Sequence, residues 1–213
     1  MNGYMLYKYP RTYHLPFSKK ISNNDRVMED LSYILKNTVV ITEKYDGENT
    51  TLYNDYIHSR SLDYSPHWSR NLMKKFHAEI SYKIPKNIRI CGENLIGTHT
   101  IKYDNLPHFF LGFSAWEKDY CLPWEDTLDL FRSIGICPVK QLYYGKVTLD
   151  ILNEICEKLD KNNSEGYVVR VADGFYMDEF SVKVGKFVFS NFSVSEKDWK
   201  NDKTENSWNK NII

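Results

Sequence analysis

Hydrophobic positions fall into helical and strand-like stretches that alternate irregularly between residues 24 and 189. In NDRVMEDLSYILK (24–36), Val27, Leu31, Ile34 and Leu35 recur at helical spacing behind an Asn/Asp start. That pattern predicts an amphipathic helix capped by Asn23, Asn24 or Asp25. The β-branched run TVVITEK then reads as a buried strand and NTTLYND as its partner, with Asp46-Gly47 near the bend of a hairpin. Trp68, Leu72, Phe76 and Ile80 repeat every four residues after Pro66 and predict a helix over 67–80. NIRICGENL returns to strand, and HFFLGFSAWE is aromatic and extended in character. Further helices are predicted at 123–133, ended by Gly135, and at 148–160, where Leu149, Leu152, Ile155 and Leu159 share a face. EGYVVRV and FSVKVGKFVF close the series as strands.

Strands in hairpins with helices inserted between them favour an α+β, antiparallel-rich fold over a doubly wound parallel sheet. No internal repeat is visible. The last 18 residues are polar apart from Trp199, Trp208 and the final isoleucines. The chain therefore reads as one domain over residues 1–190 and a polar tail or loosely docked end over 191–213, with no room for a second globular domain after Phe189.

Composition narrows the classes. With 213 residues, 42% hydrophobic and 15% aromatic, the chain can bury the core of one domain. Twenty-eight basic and 28 acidic residues cancel, which excludes a strongly basic nucleic-acid coat and leaves a local basic groove open. Cys91, Cys121, Cys137 and Cys156 form no C-x-x-C pair, so neither a zinc site nor a secreted disulfide framework is implied. The start, MNGYMLYKYPRTYH, is too polar for a signal peptide and no apolar run approaches a membrane span. The expectation is a soluble, intracellular, cytoplasmic protein with no membrane partner.

The chemistry gathers at strand ends. Lys44 lies between acids in EKYDGEN (43–49). Alone, K-x-D-G suits a solvated bend better than a site. A lysine amine is a nucleophile only when unprotonated, which near pH 7 requires a pKa lowered by burial or neighbouring cations. Lys183 and Lys186 are the candidates for those cations, and Gly47 lets a ligand approach the backbone.

The strings that follow give Lys44 a context: HSRS (58–61), CGENL (91–95), FFLGF (109–113), SEGYVVR (164–170) and VKVGK (182–186). In this order, over about residues 38 to 190, the series resembles the covalent nucleotidyltransferases, the superfamily of ATP-dependent ligases and capping guanylyltransferases, and most closely the small phage-type RNA ligases. The resemblance implies a nucleotidyltransferase (ATP-grasp-like ligase) domain of antiparallel-rich sheets flanked by helices, without an oligonucleotide-binding barrel. It implies that Lys44 attacks the α-phosphate of ATP and holds AMP as a phosphoramidate. Arg60 resembles the arginine beside the nucleotide sugar and 5′-phosphate, Glu93 the acid at a ribose hydroxyl, and Phe113 the aromatic on the adenine. Glu43 and Asn49 fall at nucleotide contacts. Glu165 resembles the acid for metal-assisted transfer, and Lys183 with Lys186 the lysine pair at the phosphates.

One spacing departs from the family. Its last lysines are usually K-x-K, on one strand face, whereas V-K-V-G-K points Lys183 and Lys186 to opposite faces of a regular strand. A bulge at Gly185 is expected to restore them; with a regular strand, Lys186 is the one expected in the site.

The implied reaction uses ATP and a divalent cation, Mg2+ or Mn2+, transfers AMP from Lys44 to an RNA 5′-phosphate and seals it to a 3′-hydroxyl. A lone domain disfavours GTP capping, favours RNA, and makes an accessory protein or domain a possible partner. The alternatives are a DNA ligase, or a nucleic-acid-binding domain without ligase activity. The six histidines show no metal-ligand spacing; His58 and His99 are only adjacent to the site strings.

Overall fold

The computed structural model describes residues 6–62, 67–190 and 204–209. In chain order its elements are β1 (Tyr13–His14), α1 (Ser32–Lys36), β2 (Thr38–Lys44), β3 (Glu48–Leu52), β4 (Ile57–Ser59), α2 (Ser69–Ile80), β5 (Ile88–Asn94) and β6 (Phe110–Glu117). There follow β7 (Tyr120–Cys121), α3 (Trp124–Ile134), β8 (Cys137–Pro138), β9 (Gln141–Lys146), α4 (Leu149–Lys158), β10 (Gly166–Val171), β11 (Phe175–Tyr176), α5 (Phe180–Lys183) and β12 (Val184–Val188). Among the described residues the strands form two sheets, one in the order β1-β12-β10-β2-β9 and one in the order β11-β7-β6-β5-β3-β4 with β8 beside β6. All pairings are antiparallel except β1 with β12 and β6 with β8. The expected α+β, antiparallel-rich class is what the chain adopts.

β2 lies inside its sheet, and Val39, Val40 and Ile41 are fully buried, which is why this strand reads as a continuous apolar run rather than an alternating one. A second apolar cluster joins Met73, Phe76 and Ile80 of α2 to Leu52, Ile90 and Phe110 beneath it. The α3 helix ends as expected at Gly135, whose φ of 91° takes the left-handed cap while its N–H bonds to Phe131 O at 2.9 Å.

Three expectations are corrected. First, the helix over 24–36 exists only as α1. Upstream, the backbone bonds sideways to β1: His14 N donates to Arg26 O (2.7 Å) and Met28 N to His14 O (2.8 Å). Those long-range pairings use the groups that helix bonds would need, so the apolar period is overruled at Val27.

Second, β2 and β3 are not a hairpin. They belong to different sheets, and the Asp46-Gly47 bend carries the chain from one to the other. The loop after β5 pins the bend: Asp46 Oδ2 accepts from Thr100 N (2.7 Å) and Ile101 N (3.1 Å), and Asp46 N donates to the Tyr103 hydroxyl (2.9 Å). A Cβ at residue 47 would come within 2.5 Å of Asn94 O, so the glycine is set by close packing.

Third, FSVKVGKFVF is half helix: α5 ends at Lys183 and β12 begins at Val184. No bulge exists at Gly185, since Val169 opposes Gly185 and Val168 opposes Lys186 in regular register. A Cβ at residue 185 would meet Met28 Sδ at 2.6 Å and Leu15 Cδ2 at 2.7 Å, so that glycine admits the N-terminal segment against β12.

Of the expected tail, residues 191–203 and 210–213 lie outside the described residues. Residues 204–209 pack along the loop after β5. The Asn206 amide is fully used: Oδ1 accepts from Thr98 Oγ1 (3.0 Å) and Tyr103 N (2.8 Å), while Nδ2 donates to Leu95 O (2.9 Å) and Gly97 O (3.2 Å). Trp208 meets Phe109 edge to face at 5.3 Å. Replacing Asn206 by Ala leaves buried partners unsatisfied and is expected to cost about 2–3 kcal/mol, a drop of roughly 4–12 °C in Tm. Thermal unfolding checks this, and a shift under a degree would show that the pin is not stabilising.

Candidate active site

Where the two sheets diverge they enclose a cavity of about 580 Å³. Thr42, Glu43 and Lys44 reach it from the end of β2, Glu48 and Asn49 from β3, Glu93 from β5, Phe113 from β6, and Val168 and Lys186 from β10 and β12. Arg60 lines it from the turn after β4, tied by its own N–H to Asn49 O at 3.0 Å. Thus Glu43, Lys44, Asn49, Arg60, Glu93, Phe113 and Lys186 are brought together from five strands and a turn.

Lys44 Nζ donates to Glu165 Oε2. Glu165 is followed by Gly166, which opposes Lys44 in register. With φ 149° and a virtual Cβ only 2.0 Å from Phe187 O, residue 166 tolerates no side chain. The glycine lets β10 close on β12 while Glu165 turns toward the lysine.

Lys183 lies elsewhere. It is the last residue of α5, its Nζ is 2.7 Å from Glu179 Oε1, and it sits 5.0 Å over the Tyr33 ring, outside the cavity. The helical turn before β12 rotates it away from Lys186, so the lysine pair is not assembled.

The electrostatics also correct the sequence reading. Burial pulls the Lys44 ammonium down, but Glu165, Glu93 and Asp46 outweigh it and hold its pKa above the usual lysine value. Burial and the neighbouring Lys44 charge hold Lys186 below that value. Burial pushes the Glu93 carboxyl up to about 8, against the pull of Lys44 and the N–H of Gly47, which Oε1 accepts at 3.1 Å. Glu43 is likewise raised by burial.

Phe113, Trp124, Val139, Val168 and Val184 supply an apolar part of the cavity lining. Asn49 Oδ1 is buried with no hydrogen-bond partner among the described residues. The cavity therefore offers aromatic and apolar side chains, an unpaired acceptor, carboxylates and lysines, a set suited to a base, a sugar and phosphates. Among the described residues no three His, Cys, Asp or Glu side chains cluster as a metal cage. The oxygen donors of Glu165 and Glu93 suit a hard cation that keeps waters and phosphate oxygens as its other ligands.

The sequence reading missed part of the wall. Tyr9, Arg11 and Asp25 come from the segment before β2, where no motif marked them. Tyr9 meets the Phe113 ring edge-on at 5.1 Å. Arg170, within the SEGYVVR string, also lines the cavity; its Nε donates to Val171 O (3.1 Å) and Nη2 to Leu122 O (2.9 Å). His99 reaches the cavity, whereas His58 is buried with Nδ1 against Ser59 O at 2.7 Å.

The family model for RNA ligase matches residues 37–188, the stretch that carries this lysine-centred cavity. The chain belongs to the RNA ligase family. No curated protein gives a significant sequence match. Among solved structures, an archaeal ATP-dependent RNA ligase superposes with a TM-score of 0.57 at 16% identity, over 85% of this chain and 48% of that one. An Aquifex aeolicus protein provisionally named an ATP-dependent DNA ligase gives 0.57 at 18% identity, over 86% and 50%. A Naegleria gruberi RNA ligase variant with AMP and Mn gives 0.54 at 14% identity, over 88% and 59%. These likenesses show a shared fold, and the chain spans about half the length of the first two structures.

The raised Glu93 carboxyl sets a pH dependence for this RNA ligase family member. Its folded-state pKa lies above the ordinary 4.5, so its protonated form stabilises the fold, and that contribution is lost as pH rises from about 4.5 through about 8. Glu93→Gln is expected to remove this slope and to exceed the wild-type stability at pH 8–9 by about 1–3 kcal/mol. Urea unfolding across pH tests it; parallel profiles for the two proteins would contradict it.

Proposed function

We propose that the chain is an ATP-dependent RNA ligase that works through a lysyl-AMP intermediate. The observation that carries this reading is the Lys44 amine held by Glu165, with Lys186 beside it, in a cavity with aromatic and apolar side chains in its lining. In the first step the Lys44 amine forms a P–N bond to the α-phosphorus of ATP. The P–O bond to pyrophosphate breaks, and of the two protons the ammonium gives up, one passes to the Glu165 carboxylate already bonded to Nζ and the other to solvent.

Phe113 stacks on the adenine, Glu93 accepts from a ribose hydroxyl, Asn49 offers its free acceptor, Glu43 and Arg60 flank the nucleotide, and Lys186 meets the phosphate charge. In the second step an RNA 5′-phosphate oxygen takes the AMP phosphorus from Lys44, which regains its protons. In the third a 3′-hydroxyl attacks that 5′-phosphate and AMP leaves.

Glu165, with Glu93 near it, would hold Mg2+ or Mn2+. When bound, the cation neutralises phosphate and carboxylate charge. The protein's own contribution is placement: the acids that hold the ammonium in the free site fix its position before the nucleotide arrives.

Incubation with α-labelled ATP and Mg2+ should leave label on denatured wild-type protein and none on Lys44→Ala. The label should be released by 5′-phosphorylated RNA more readily than by DNA in a strand panel. Absence of label on folded protein that was not already adenylated as isolated would overturn the reading. In the same assay Lys186→Ala is expected to label roughly 10²–10³ times more slowly. Lys183→Ala, placed outside the cavity, is expected to stay within about threefold of wild type. Equal losses for the two lysines would show that both serve the phosphates.

A further inference from the structure

A second hollow, of about 330 Å³, adjoins the nucleotide cavity, and Pro10 and Arg11 line both. Its other walls include Tyr13, Arg26, Met177 and Phe180. The two arginines are held by neutral groups. Arg11 Nη1 donates to Asn24 O at 2.6 Å, and Arg26 Nη1 to the Tyr13 hydroxyl at 2.9 Å with its guanidinium 5.8 Å over the Tyr13 ring. Neither forms an ion pair with a carboxylate among the described residues. Asp178 also lines this hollow and likewise forms none.

Two exposed arginines, each with one hydrogen bond and donors to spare, share this hollow with the Tyr13 ring, and Arg11 also lines the cavity that holds Lys44. Two guanidiniums and an aromatic ring in the wall of one hollow suit the phosphates and a base of a single strand better than a compact anion, because one hollow supplies both kinds of contact. We propose that Arg11, Tyr13 and Arg26 form a track for the nucleic-acid strand whose 5′-phosphate is presented at the Lys44 site. The identity of that strand rests on the RNA ligase reading. The track itself can be tested without it.

Fluorescence anisotropy with a short 5′-phosphorylated single-stranded RNA, in Mg2+ and without ATP, reads binding alone. The double variant Arg11→Ala/Arg26→Ala is expected to bind about tenfold more weakly, with a log–log salt slope shallower by about 1.4, two contacts at about 0.7 each. The Lys pair at the same positions should keep the slope while losing part of the affinity, which separates lost contacts from misfolding. Lys158→Ala, on the exposed face of α4, should change neither quantity. Wild-type affinity and slope in the double variant would overturn the proposal. So would an equal loss in Lys158→Ala, or no RNA binding by the wild-type chain. Failure of Lys44 labelling, read separately, would overturn the ligase reading and leave this result standing.

Discussion

The ion pair between Lys44 and Glu165 is the constraint around which the rest of the site is arranged. It joins the last residue of β2 to the residue preceding β10, beside a glycine that opposes Lys44 and whose close approach to β12 any side chain would block. Carboxylates around an ammonium raise the cost of making it a nucleophile. They also fix where the nitrogen is. A lysine side chain has several rotatable bonds, and an untethered one would lose that freedom only at the moment of reaction. The site thus favours position over reactivity, and under the proposed mechanism activation falls to the charges that arrive with the nucleotide.

That arrangement is held from outside the strand that carries the lysine. The bend at Asp46 and Gly47 is bonded to residues 100, 101 and 103, and the loop containing them is bonded in turn to Asn206. A run of hydrogen bonds thereby links a segment near the C-terminal end of the chain to the turn two residues after Lys44. On the opposite side, the segment before β2 packs its Leu15 and Met28 onto Gly185, beside Lys186. The two lysines of the cavity are steadied by different, sequence-distant parts of the chain.

Much of this was legible in the sequence, and the failures share a cause. α2, α3 and α4 were readable because each has a long apolar face and local stop or start signals, such as Gly135 and the Thr148 cap whose Oγ1 accepts from Ile151 N at 3.3 Å. The site residues were readable as strings at strand ends, and seven of the nine named do line one cavity, with Glu165 bonded to it through Lys44. What misled was information that lies off the local chain. Val27 has helical spacing but lies in a segment bonded to β1, and Asp46-Gly47 is good turn chemistry that does not say which sheet comes next. Lys183 alternates like a strand residue yet closes a helical turn. Tyr9, Arg11 and Asp25 carried no local signal, because their part in the cavity depends only on where the folded chain sets them.

The stretch that matches the family begins at residue 37, after the segment that supplies Tyr9, Arg11 and Asp25 to the cavity. The lysine-centred cavity is in this sense a composite: its chemical centre lies within the matched stretch, and one wall is contributed by a strap outside it. Exchange of that strap between relatives would alter what enters the pocket while sparing the lysine and its acids. Under the proposed ligase mechanism, variation in the choice of acceptor strand therefore has a place to accumulate that is physically separate from Lys44 and Glu165.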